Sequence, residues 1–576
     1  MEKHGKTGIP AQVEPDKFPN LWLWLPLAAA FLVYANSLNS PFLYGDDEHM
    51  LVKNAYLENW KYLPKLFTEN LCAGSGGHSN FYRPLLLLAY AVLAHLFGKV
   101  PWPYHVLNVL FHGLSGVLAA VILKKMFVNA GTRACVLVAT LWTVHPLAGE
   151  QMFSAIGAAD LTAMFWMLAA LIVMIRRLER KDPPETSPGL KSGLAWQSLY
   201  LAFFACALMS KENAITVPAL AVIFHLCLSR EQRAPALGIS AFAKIHLAGW
   251  VLAAVYALLR LTCLNFGGTL QFAAHSNIYT ENFPCRFFTF LSVLGKGLLV
   301  IFAPYDLHPE RSWPVFCGFA DIQVWLPAAA LAALAAAGCF AWKKKEAALW
   351  CGLGWFIVAY SPTSNLVSTI NAVVLDHWFY TPALGMGMIL LYARSRLGFI
   401  KKLFPWLAAA GVLILSAITC RHSAHWRSQE AYSRYILSYE PASAPHWNNL
   451  AIALADRGAI ESAIAAYRNS IRISDTYPQT HHNLGQAYRK IGRDDLAEIE
   501  YKSALKLDPK FYYSHLALAE LRLSRNDAAG ALLHLIAAKE IFPYLRGIDE
   551  NIEKLRRLTA RSPRAAAGRP PQPAWR

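Results

Sequence analysis

The sequence predicts an all-α protein made of a polytopic transmembrane helical domain followed by an α-solenoid of helical repeats. Three observations lead to this prediction. Hydrophobic residues make up 55% of the 576 residues and charged residues only 16%, which is too apolar for an ordinary soluble domain. Long apolar segments recur as far as Cys420. Beyond Arg421 the composition becomes charged and repeats with a spacing of 34 residues, which indicates stacked helix pairs.

Basic residues in the short loops set the orientation of the apolar segments, because Lys and Arg of such loops stay on the cytoplasmic side. Placing every basic cluster in the cytoplasm gives eleven alternating spans, near residues 21–38, 104–123, 134–147, 158–175, 195–210, 214–229, 244–263, 322–342, 347–361, 378–393 and 403–420. Two further apolar segments, Pro84–Phe97 and Phe287–Phe302, do not fit the alternation. We predict re-entrant or interfacial helices there, and the count reaches thirteen only if both segments cross.

These features divide the chain into four parts. Residues 1–20 form a polar leader predicted to be cytoplasmic, 21–421 the membrane domain, 422–545 the repeats and 546–576 a tail with a Pro-, Ala- and Arg-rich end predicted to be disordered. The first span follows the leader without a convincing small-residue cleavage site. We therefore expect a retained span and not a cleaved signal peptide.

The net charge of +17 does not predict a nucleic-acid partner, because its Lys and Arg lie mainly in loops beside apolar runs and orient helices. The expected surroundings of the first domain are the lipid bilayer. The ten cysteines are scattered singly, without a CxxC pair or metal-ligand spacing. Neither a disulfide framework nor a zinc site is predicted.

The repeated segment matches the tetratricopeptide pattern of helix pairs. Asn449 recurs as Asn483, and Ala463 recurs as Ala497 and Ala531, always 34 residues apart. Stacked pairs of this kind form a surface suited to extended peptide, so we predict that the repeats hold an acceptor polypeptide or a protein partner. The two asparagines either bind a peptide backbone or, as the better supported alternative, pack between repeats.

Acidic residues gather just after the first span, in the stretch Asp46-Asp47-Glu48-His49. Three adjacent carboxylates repel one another and resist desolvation, so they belong in water outside a membrane face. The simpler interpretation is that they cap a helix beginning near Met50. One cap needs one acid, which favours a functional role for the stretch.

Other ionisable residues fall at predicted turns on the non-cytoplasmic face. His145, Glu150 and Asp160 flank one turn, and Lys211-Glu212 occupy another. Ionisable groups at the edge of a span are costly and often functional. Hydrogen bonding among themselves, or a local ion pair, explains them equally well, and the sequence leaves both interpretations open.

The order of several short motifs resembles the transmembrane-and-tetratricopeptide-repeat O-mannosyltransferases and their bacterial relatives. The motifs are Tyr44-Gly45-Asp46-Asp47, Phe81-Tyr82-Arg83-Pro84, Tyr104-His105-Val106-Leu107-Asn108, Trp142-Thr143-Val144-His145-Pro146 with Glu150, Gly157-Ala158-Ala159-Asp160-Leu161, Lys211-Glu212 and Phe379-Tyr380-Thr381-Pro382, followed by the repeats. The resemblance implies a GT-C glycosyltransferase fold. The family usually has Arg where this chain has Ala158, and often Arg where it has His377 or Trp378.

The resemblance also implies an activity. A sugar, expected to be a mannose-like hexose, would pass from a polyprenyl-phosphate carrier to a hydroxyl of an acceptor, expected to be a protein Ser or Thr. Asp46 is the implied base, and Asp47 would orient it or, with Asp46, hold a divalent metal such as Mg²⁺ or Mn²⁺. The supporting or substrate-binding residues expected around them are Glu48, His49, Arg83, His105, His145, Glu150, Asp160, Lys211, Glu212, His377 and Tyr380.

Each supporting role has a simpler alternative. Lys211 is a candidate for the carrier phosphate, and Arg83 either reaches that phosphate or extends to lipid headgroups. His377 and Tyr380 either line an acceptor path or, for the tyrosine, belong to the aromatic belt at the membrane surface.

The alternative function is a non-catalytic membrane scaffold that presents the repeats. A transporter is disfavoured, because no inverted repeat and no run of mid-span charges is present. The chain contains no Asn-x-Ser/Thr site, which favours a bacterial inner membrane with the repeats in the periplasm over the endoplasmic reticulum and its lumen.

Overall fold

The computed structural model describes residues 19–45, 47–77, 79–179, 189–234, 238–266, 277–367, 369–370, 372–545 and 547–560. Most of the predicted leader, Asp46 and the end of the predicted tail lie outside these described residues. Within them the protein is helical and contains no strand. The chain forms two compact units that divide between Arg427 and Ser428, and the short segment Gly74–Gly77 is counted with the second unit.

The first unit contains sixteen α-helices within its described residues. They are α1 (Leu25–Tyr34), α2 (Leu63–Thr68), α3 (Pro84–Phe97), α4 (Trp102–Met126), α5 (Thr132–Val144), α6 (Gly149–Phe153), α7 (Ala158–Leu178), α8 (Gly189–Ser210), α9 (Val217–Arg230), α10 (Ile239–Leu261), α11 (Ile278–Glu281), α12 (Phe283–Phe302), α13 (Ile322–Lys343), α14 (Ala347–Tyr360), α15 (Tyr380–Arg396) and α16 (Gly398–Ser423). Its core lies where α1, α4, α5 and α7 pack together, and nearly every residue of α5 is buried.

Nine helical segments among the described residues are long and apolar enough to cross a membrane. They are Asn20–Asn39, Trp102–Met126, Ala155–Leu178, Gly193–Ser210, Glu212–Arg230, Ile239–Leu261, Phe283–Phe302, Ile322–Lys343 and Gly398–Trp426. Eight coincide with predicted spans. The other three predicted spans correspond to α5, α14 and α15, whose 13, 14 and 17 residues are shorter than the roughly 20 that a bilayer core requires.

Helix α12 is one of the two segments predicted to be re-entrant or interfacial. It runs for 20 residues, about 30 Å at 1.5 Å per residue, and so matches the thickness of a bilayer core. Its start is set by Asn282, whose side chain accepts a hydrogen bond from the amide of Cys285. Length does not separate a crossing helix from an interfacial one, so the re-entrant or interfacial placement of α12 stays a prediction. Helix α3, with 14 residues, is as short as predicted.

A disulfide joins Cys285 in α12 to Cys317 in the following loop, although the spacing of the cysteines predicted no disulfide framework. The two residues are 32 positions apart, and the pairing arises because the loop folds back along α12. Beside it the side chain of Thr289 accepts a hydrogen bond from the amide of Phe316. Only the tertiary structure brings these positions together.

The second unit is a stack of helix pairs with the predicted period. Its helices are α17 (Gln429–Tyr439), α18 (Ala444–Asp456), α19 (Ile460–Ile473), α20 (Pro478–Lys490), α21 (Asp494–Leu507), α22 (Tyr512–Ser524), α23 (Ala528–Ile541) and α24 (Ile548–Ala560). The recurring alanines Ala463, Ala497 and Ala531 are completely buried, because only a small residue lets paired helices approach closely. Gly458, Gly492 and Asn526 take positive φ at equivalent turns, where Gly and Asn are the residues that tolerate this conformation.

Candidate functional site

Two ion pairs meet at the start of α7 and at the turns before α3 and α9, and we call their four residues the charged cluster. Lys211 Nζ lies 2.6 Å from both carboxylate oxygens of Asp160. Arg83 Nη2 lies 3.3 Å from Glu212 Oε2. The side chains of Arg83, Lys211 and Asp160 are only 13%, 12% and 15% exposed. The cluster therefore places two cations and two carboxylates in a largely desolvated position.

Local backbone conformation explains how these residues reach one another. Lys211 ends α8 in an extended conformation, and successive side chains of an extended backbone point to opposite sides. Lys211 therefore reaches Asp160 while Glu212 reaches Arg83. Arg83 is also non-helical, because it precedes Pro84 and the residue before proline is kept out of the helical region.

The cluster keeps hydrogen-bonding capacity that its own pairs do not use. Within the described residues, the buried atoms Arg83 Nε and Glu212 Oε1 have no hydrogen-bond partner. Burial by itself would lower the pKa of Arg83, but the nearby carboxylates of Glu212 and Asp160 outweigh it and raise the pKa above its usual value. Arg83 thus stays charged and retains an unused donor.

A third pair adjoins the charged cluster. His377 Nδ1 lies 2.7 Å from Glu150 Oε2, and His377 also interacts electrostatically with Asp160. Glu150 lies on α6 and His377 on the short 3-10 helix Asp376–Phe379. The structure therefore brings together Arg83, Glu150, Asp160, Lys211, Glu212 and His377 of the residues named from the sequence.

Asp47 is buried and fully engaged in holding the loop after the first span. Its carboxylate accepts hydrogen bonds from the amides of Leu43 and Ile156 at 2.9 and 3.0 Å and from the Ser154 hydroxyl at 3.1 Å. Burial raises the pKa of Asp47 to about 6, although these hydrogen bonds act in the opposite direction. The carboxylate thus ties the acidic stretch to the turn before α7.

The other described residues of the acidic stretch contact near neighbours in sequence. Asp46 lies outside the described residues. Glu48 pairs with Lys53 at 2.8 Å, and the amide of His49 donates to the carbonyl of Gly45. The helical turn Glu48–Val52 follows Asp47, whose side chain makes no capping hydrogen bond to it, so the capping interpretation does not hold for Asp47.

Three other residues predicted near the site lie in the packed interior. His145 Nε2 donates to the carbonyl of Ile301 at 2.9 Å, its Nδ1 accepts from the amide of Leu147, and burial lowers its pKa to about 4. His105 Nε2 donates to the carbonyl of Ser40. Tyr380 is 1% exposed and stacks on Trp142, so it is a core residue and lines no path. His145 does not pair with Glu150 or Asp160, each of which has another partner.

Sequence reasoning missed a second group of charges, which we call the arginine clasp. Arg311 donates from Nε and Nη2 to the two carboxylate oxygens of Asp376 at 2.9 and 2.8 Å. It also donates to Asp306 Oδ2 at 3.1 Å, which in turn accepts from Lys296 at 2.7 Å. Arg311 is only 4% exposed. Because Asp376 directly precedes His377, the clasp fixes the segment that carries the third pair.

The sequence contains only a weak signal for the arginine clasp. Asp306, His308 and Arg311 lie close together in a loop between apolar runs, but such loops are ordinarily solvated. Burial by itself would raise the pKa of Asp306, yet its contacts with Lys296 and Arg311 hold it below the usual value. The carboxylate of Asp306 is therefore ionised at neutral pH.

The predicted divalent metal remains a prediction. Within the described part of the chain, no three His, Cys, Asp or Glu side chains are grouped as metal ligands. Both oxygens of Asp47 already accept hydrogen bonds inside the protein, so its carboxylate does not fit the role of a metal ligand in this conformation.

Comparisons with known proteins agree with the predicted repeats and find similar transferases. Family profiles described as "TPR repeat" and "Tetratricopeptide repeat" match residues 453–492 and 478–511. Protein O-mannosyl-transferase TMTC3 of Mus musculus is 23% identical over 88% of this chain and 57% of its own length. Protein O-mannosyl-transferase TMTC4 of Mus musculus is 26% identical over 79% of this chain and 67% of its own length.

A solved structure of ArnT from Cupriavidus metallidurans in the apo state aligns with 85% of this chain and 80% of its own at 17% identity and a TM-score of 0.37, a value too low to establish a common fold.

The helices and the repeats define a multi-pass membrane protein with a tetratricopeptide-repeat unit. The chain is similar to the O-mannosyl-transferases named TMTC, as its motifs predicted, and it spans 57% of the length of TMTC3 of Mus musculus.

Proposed function

We propose that this protein is a membrane glycosyltransferase that moves a hexose, mannose by resemblance, from a polyprenyl-phosphate carrier to a Ser or Thr hydroxyl of an acceptor polypeptide. The similarity to protein O-mannosyl-transferases supports the reaction class. The observation that carries the proposal is the charged cluster, in which residues from three separate turns converge in a largely desolvated position. A non-catalytic scaffold would not require this convergence.

The reaction needs two kinds of group. The bond between the sugar C1 and the carrier phosphate oxygen breaks, a bond from C1 to the acceptor oxygen forms, and the hydroxyl proton passes to a carboxylate. The departing polyprenyl phosphate carries negative charge that cations stabilise. In the proposal Lys211 and Arg83 supply those cations, and the unused Nε donor of Arg83 gives a phosphate oxygen a partner without breaking the pair with Glu212.

Asp46 remains the proposed base, on the basis of the family resemblance. Asp47 is proposed to position the acidic stretch, because its oxygens are committed to Leu43, Ser154 and Ile156. This division of roles explains why two adjacent acids are needed. One side chain is buried to fix the loop, which leaves its neighbour to meet the substrate.

The proposed location of the site is the non-cytoplasmic face, which is the periplasm in a bacterium or the lumen of the endoplasmic reticulum in a eukaryote. The Cys285–Cys317 disulfide supports this proposal, because disulfides persist in oxidising compartments. The repeats follow the last membrane helix directly in the chain and are proposed to bind the acceptor. Tethering them to the membrane unit raises the local concentration of acceptor without tight binding.

Sugar transfer in isolated membranes tests the proposal. Membranes with the wild-type protein, Asp46→Asn or Asp47→Asn receive a radiolabelled polyprenyl-phosphate hexose, and incorporation into protein is measured. Glu58→Gln is the matched control, because Glu58 pairs with Lys99 at 2.9 Å outside the site. We expect loss of transfer in both aspartate variants, with a lowered unfolding temperature only for Asp47→Asn, and unchanged transfer for Glu58→Gln.

Equal incorporation in every sample, including membranes that lack the protein, would refute the transferase proposal and support the non-catalytic scaffold. Loss of transfer in Asp47→Asn alone would assign the essential carboxylate to Asp47 instead of Asp46.

A further inference from the structure

Unpartnered polar atoms gather beside the ion pair of Arg83 and Glu212. Besides Arg83 Nε and Glu212 Oε1, the side-chain oxygens of Asn80 and Tyr256 are buried without a hydrogen-bond partner within the described part of the chain. A buried polar atom without a partner is costly, and native proteins leave few of them. Several such atoms at one place indicate a ligand. We call Asn80, Glu212 and Tyr256 the polar triad.

Helix α10 brings the polar triad together. Tyr256 and Arg260 are four residues apart and therefore lie on the same face of α10, and both are only 8% exposed. Arg260 Nη2 donates to the main-chain carbonyl of Asn80, which holds the turn before α3 against α10. Tyr256 interacts electrostatically with Glu212, Arg260 and Arg83. The three unpartnered oxygens of the triad therefore lie beside one ion pair.

The chemistry of the polar triad restricts the ligand. Glu212 Oε1 and Asn80 Oδ1 can only accept hydrogen bonds, whereas the Tyr256 hydroxyl both donates and accepts. A phosphodiester offers only acceptors and would leave the first two oxygens unpaired. A metal ion would be repelled by the guanidinium groups of Arg83 and Arg260, which face the single carboxylate of Glu212. A neutral polyhydroxyl compound fits, because each hydroxyl donates one hydrogen bond and accepts others.

The position of the polar triad agrees with a sugar that is bonded to a phosphate. In the proposed function a phosphate oxygen meets Arg83 Nε, and Arg83 Nη2 lies 3.3 Å from Glu212 Oε2. Glu212 thus belongs both to the ion pair and to the triad. A hexose is bonded to the carrier phosphate directly through C1, so its hydroxyls lie within one sugar ring of the phosphate oxygens. Adjacent groups of the protein would therefore meet the phosphate and the sugar.

We propose that the polar triad binds hydroxyl groups of the hexose while the sugar is still attached to its carrier phosphate. Asn80 and Glu212 accept hydrogen bonds from hydroxyls, and Tyr256 exchanges a hydrogen bond with a further one. The triad thereby distinguishes the sugar-bearing carrier from bare polyprenyl phosphate, which is the product of the transfer. This inference rests on the proposed function for the identity of the carrier.

Binding of short-chain carrier analogues to the full-length protein in detergent micelles tests the proposal. The probes are citronellyl phosphate and its mannosyl and glucosyl phosphodiesters, and isothermal titration calorimetry gives the Kd of each. The variants are Tyr256→Phe, Asn80→Leu and the two together, which remove the unpartnered oxygens and nearly keep the side-chain volumes. Thermal unfolding checks that each variant is folded.

Tyr360→Phe is the matched control. The Tyr360 hydroxyl is likewise buried without a partner among the described residues, but the ring stacks on Phe379 within an apolar cluster. The control therefore removes the same kind of atom from a position that offers a sugar no acceptor carboxylate.

We expect the wild type to bind one of the sugar-bearing probes more tightly than citronellyl phosphate. Tyr256→Phe and Asn80→Leu should each weaken binding of that probe about fivefold, as the loss of one hydrogen bond implies. Neither should change the Kd of citronellyl phosphate, because the cations of the charged cluster remain. Tyr360→Phe should bind every probe like the wild type.

Monodeoxy forms of the preferred probe give a readout that a purely structural role would not change. The form that lacks the hydroxyl bound by Tyr256 should bind the wild type and Tyr256→Phe equally. Equal Kd values of all three carrier probes in the wild type, or an unchanged preference in the double variant, would overturn the proposal and assign the unpartnered atoms to water. A preference for the sugar-bearing probe without sugar transfer in membranes would refute the proposed function and leave the role of the polar triad intact.

Discussion

Charged side chains are paired differently in the charged cluster of the membrane unit and on the exposed face of α21 in the repeat unit. In the charged cluster the partners are distant in sequence: Lys211 and Asp160 are 51 residues apart, and Arg83 and Glu212 are 129 apart. In the repeat unit Lys502 and Glu498 are four residues apart on one helix. The Lys211 side chain is 12% exposed, whereas that of Lys502 is 60% exposed.

The difference distinguishes pairs that form only when the whole unit folds from pairs that form between neighbouring residues on the surface of one helix. A long-range buried pair exists only if the whole unit is folded, and removing one partner leaves an uncompensated charge in a desolvated position. A local exposed pair forms on almost any helix and competes with water. Breaking the first kind should therefore change stability and function together, and breaking the second kind should change neither appreciably.

The largest effect is expected from Arg311→Gln. This change leaves the buried Asp376 without its bidentate partner, and we expect the free energy of unfolding to fall by about 3–5 kcal/mol. Thermal unfolding of the purified protein in micelles, followed by tryptophan fluorescence, measures it. Arg311→Lys retains the charge without the fork and should lie between the variant and the wild type. A loss below about 1 kcal/mol would show that the arginine clasp does not hold the loop.

A smaller loss is expected from Lys211→Met, which leaves Asp160 unpaired at a site that keeps some contact with solvent. We expect a destabilisation of about 2–3 kcal/mol together with loss of sugar transfer. The double variant Lys211→Met with Asp160→Asn removes both charges and should recover most of the stability but none of the transfer. Recovery of transfer by the double variant would assign the pair a purely structural role.

In the repeat unit the buried His481 contacts two carboxylates. His481 lies between Glu500 and Asp475, at 2.7 and 2.6 Å. The hydrogen bond with Glu500, followed by that with Asp475, raises the pKa of His481 above its usual value despite burial. Because the folded pKa exceeds the unfolded one, this stabilisation is complete below about pH 6.5 and is lost as the pH rises through the folded pKa.

Hydrogen exchange of the α20 amides between pH 5 and pH 9, corrected for the intrinsic rate, follows that loss. We expect protection to decrease as the pH rises in the wild type and to be flat in His481→Gln. A decrease of the same size in His481→Gln would assign the pH dependence to another group.

The smallest effect is expected from Lys502→Ala on the exposed face of α21. Glu498 keeps Arg522 and Arg525 as partners, so we expect a change within about 0.5 kcal/mol and no change in peptide binding. The same unfolding measurement applies. A loss as large as that of Lys211→Met would remove the distinction between the two units.

The repeat unit was predictable because its contacts are local and periodic. Ala463, Ala497 and Ala531 recur at the interval of one helix pair, and each is buried where the helices cross. The apolar runs likewise predicted the membrane helices, since length and hydropathy are properties of a single segment. Helix α12 is the exception, because its length is that of a crossing helix whereas the positions of the basic loops predict a re-entrant or interfacial one.

The candidate site was predictable only in part. The sequence indicated that Arg83, Asp160, Lys211 and Glu212 are unusual, because charges beside apolar spans are costly. It did not indicate which cation pairs with which carboxylate. It also gave no sign that the Asp47 carboxylate would be buried and would accept hydrogen bonds from Leu43, Ser154 and Ile156.

The sequence by itself therefore determined the helical class, the repeats, the membrane segments and the residue types at the turns, because periodicity and hydropathy are local. The tertiary structure decided the Cys285–Cys317 disulfide, the arginine clasp and the partners within the charged cluster. The disulfide joins positions 32 residues apart, the Arg311–Asp376 pair of the clasp positions 65 apart, and the two pairs of the charged cluster positions 51 and 129 apart. Such distant positions meet only when the helices pack, and no local pattern in the chain encodes their pairing.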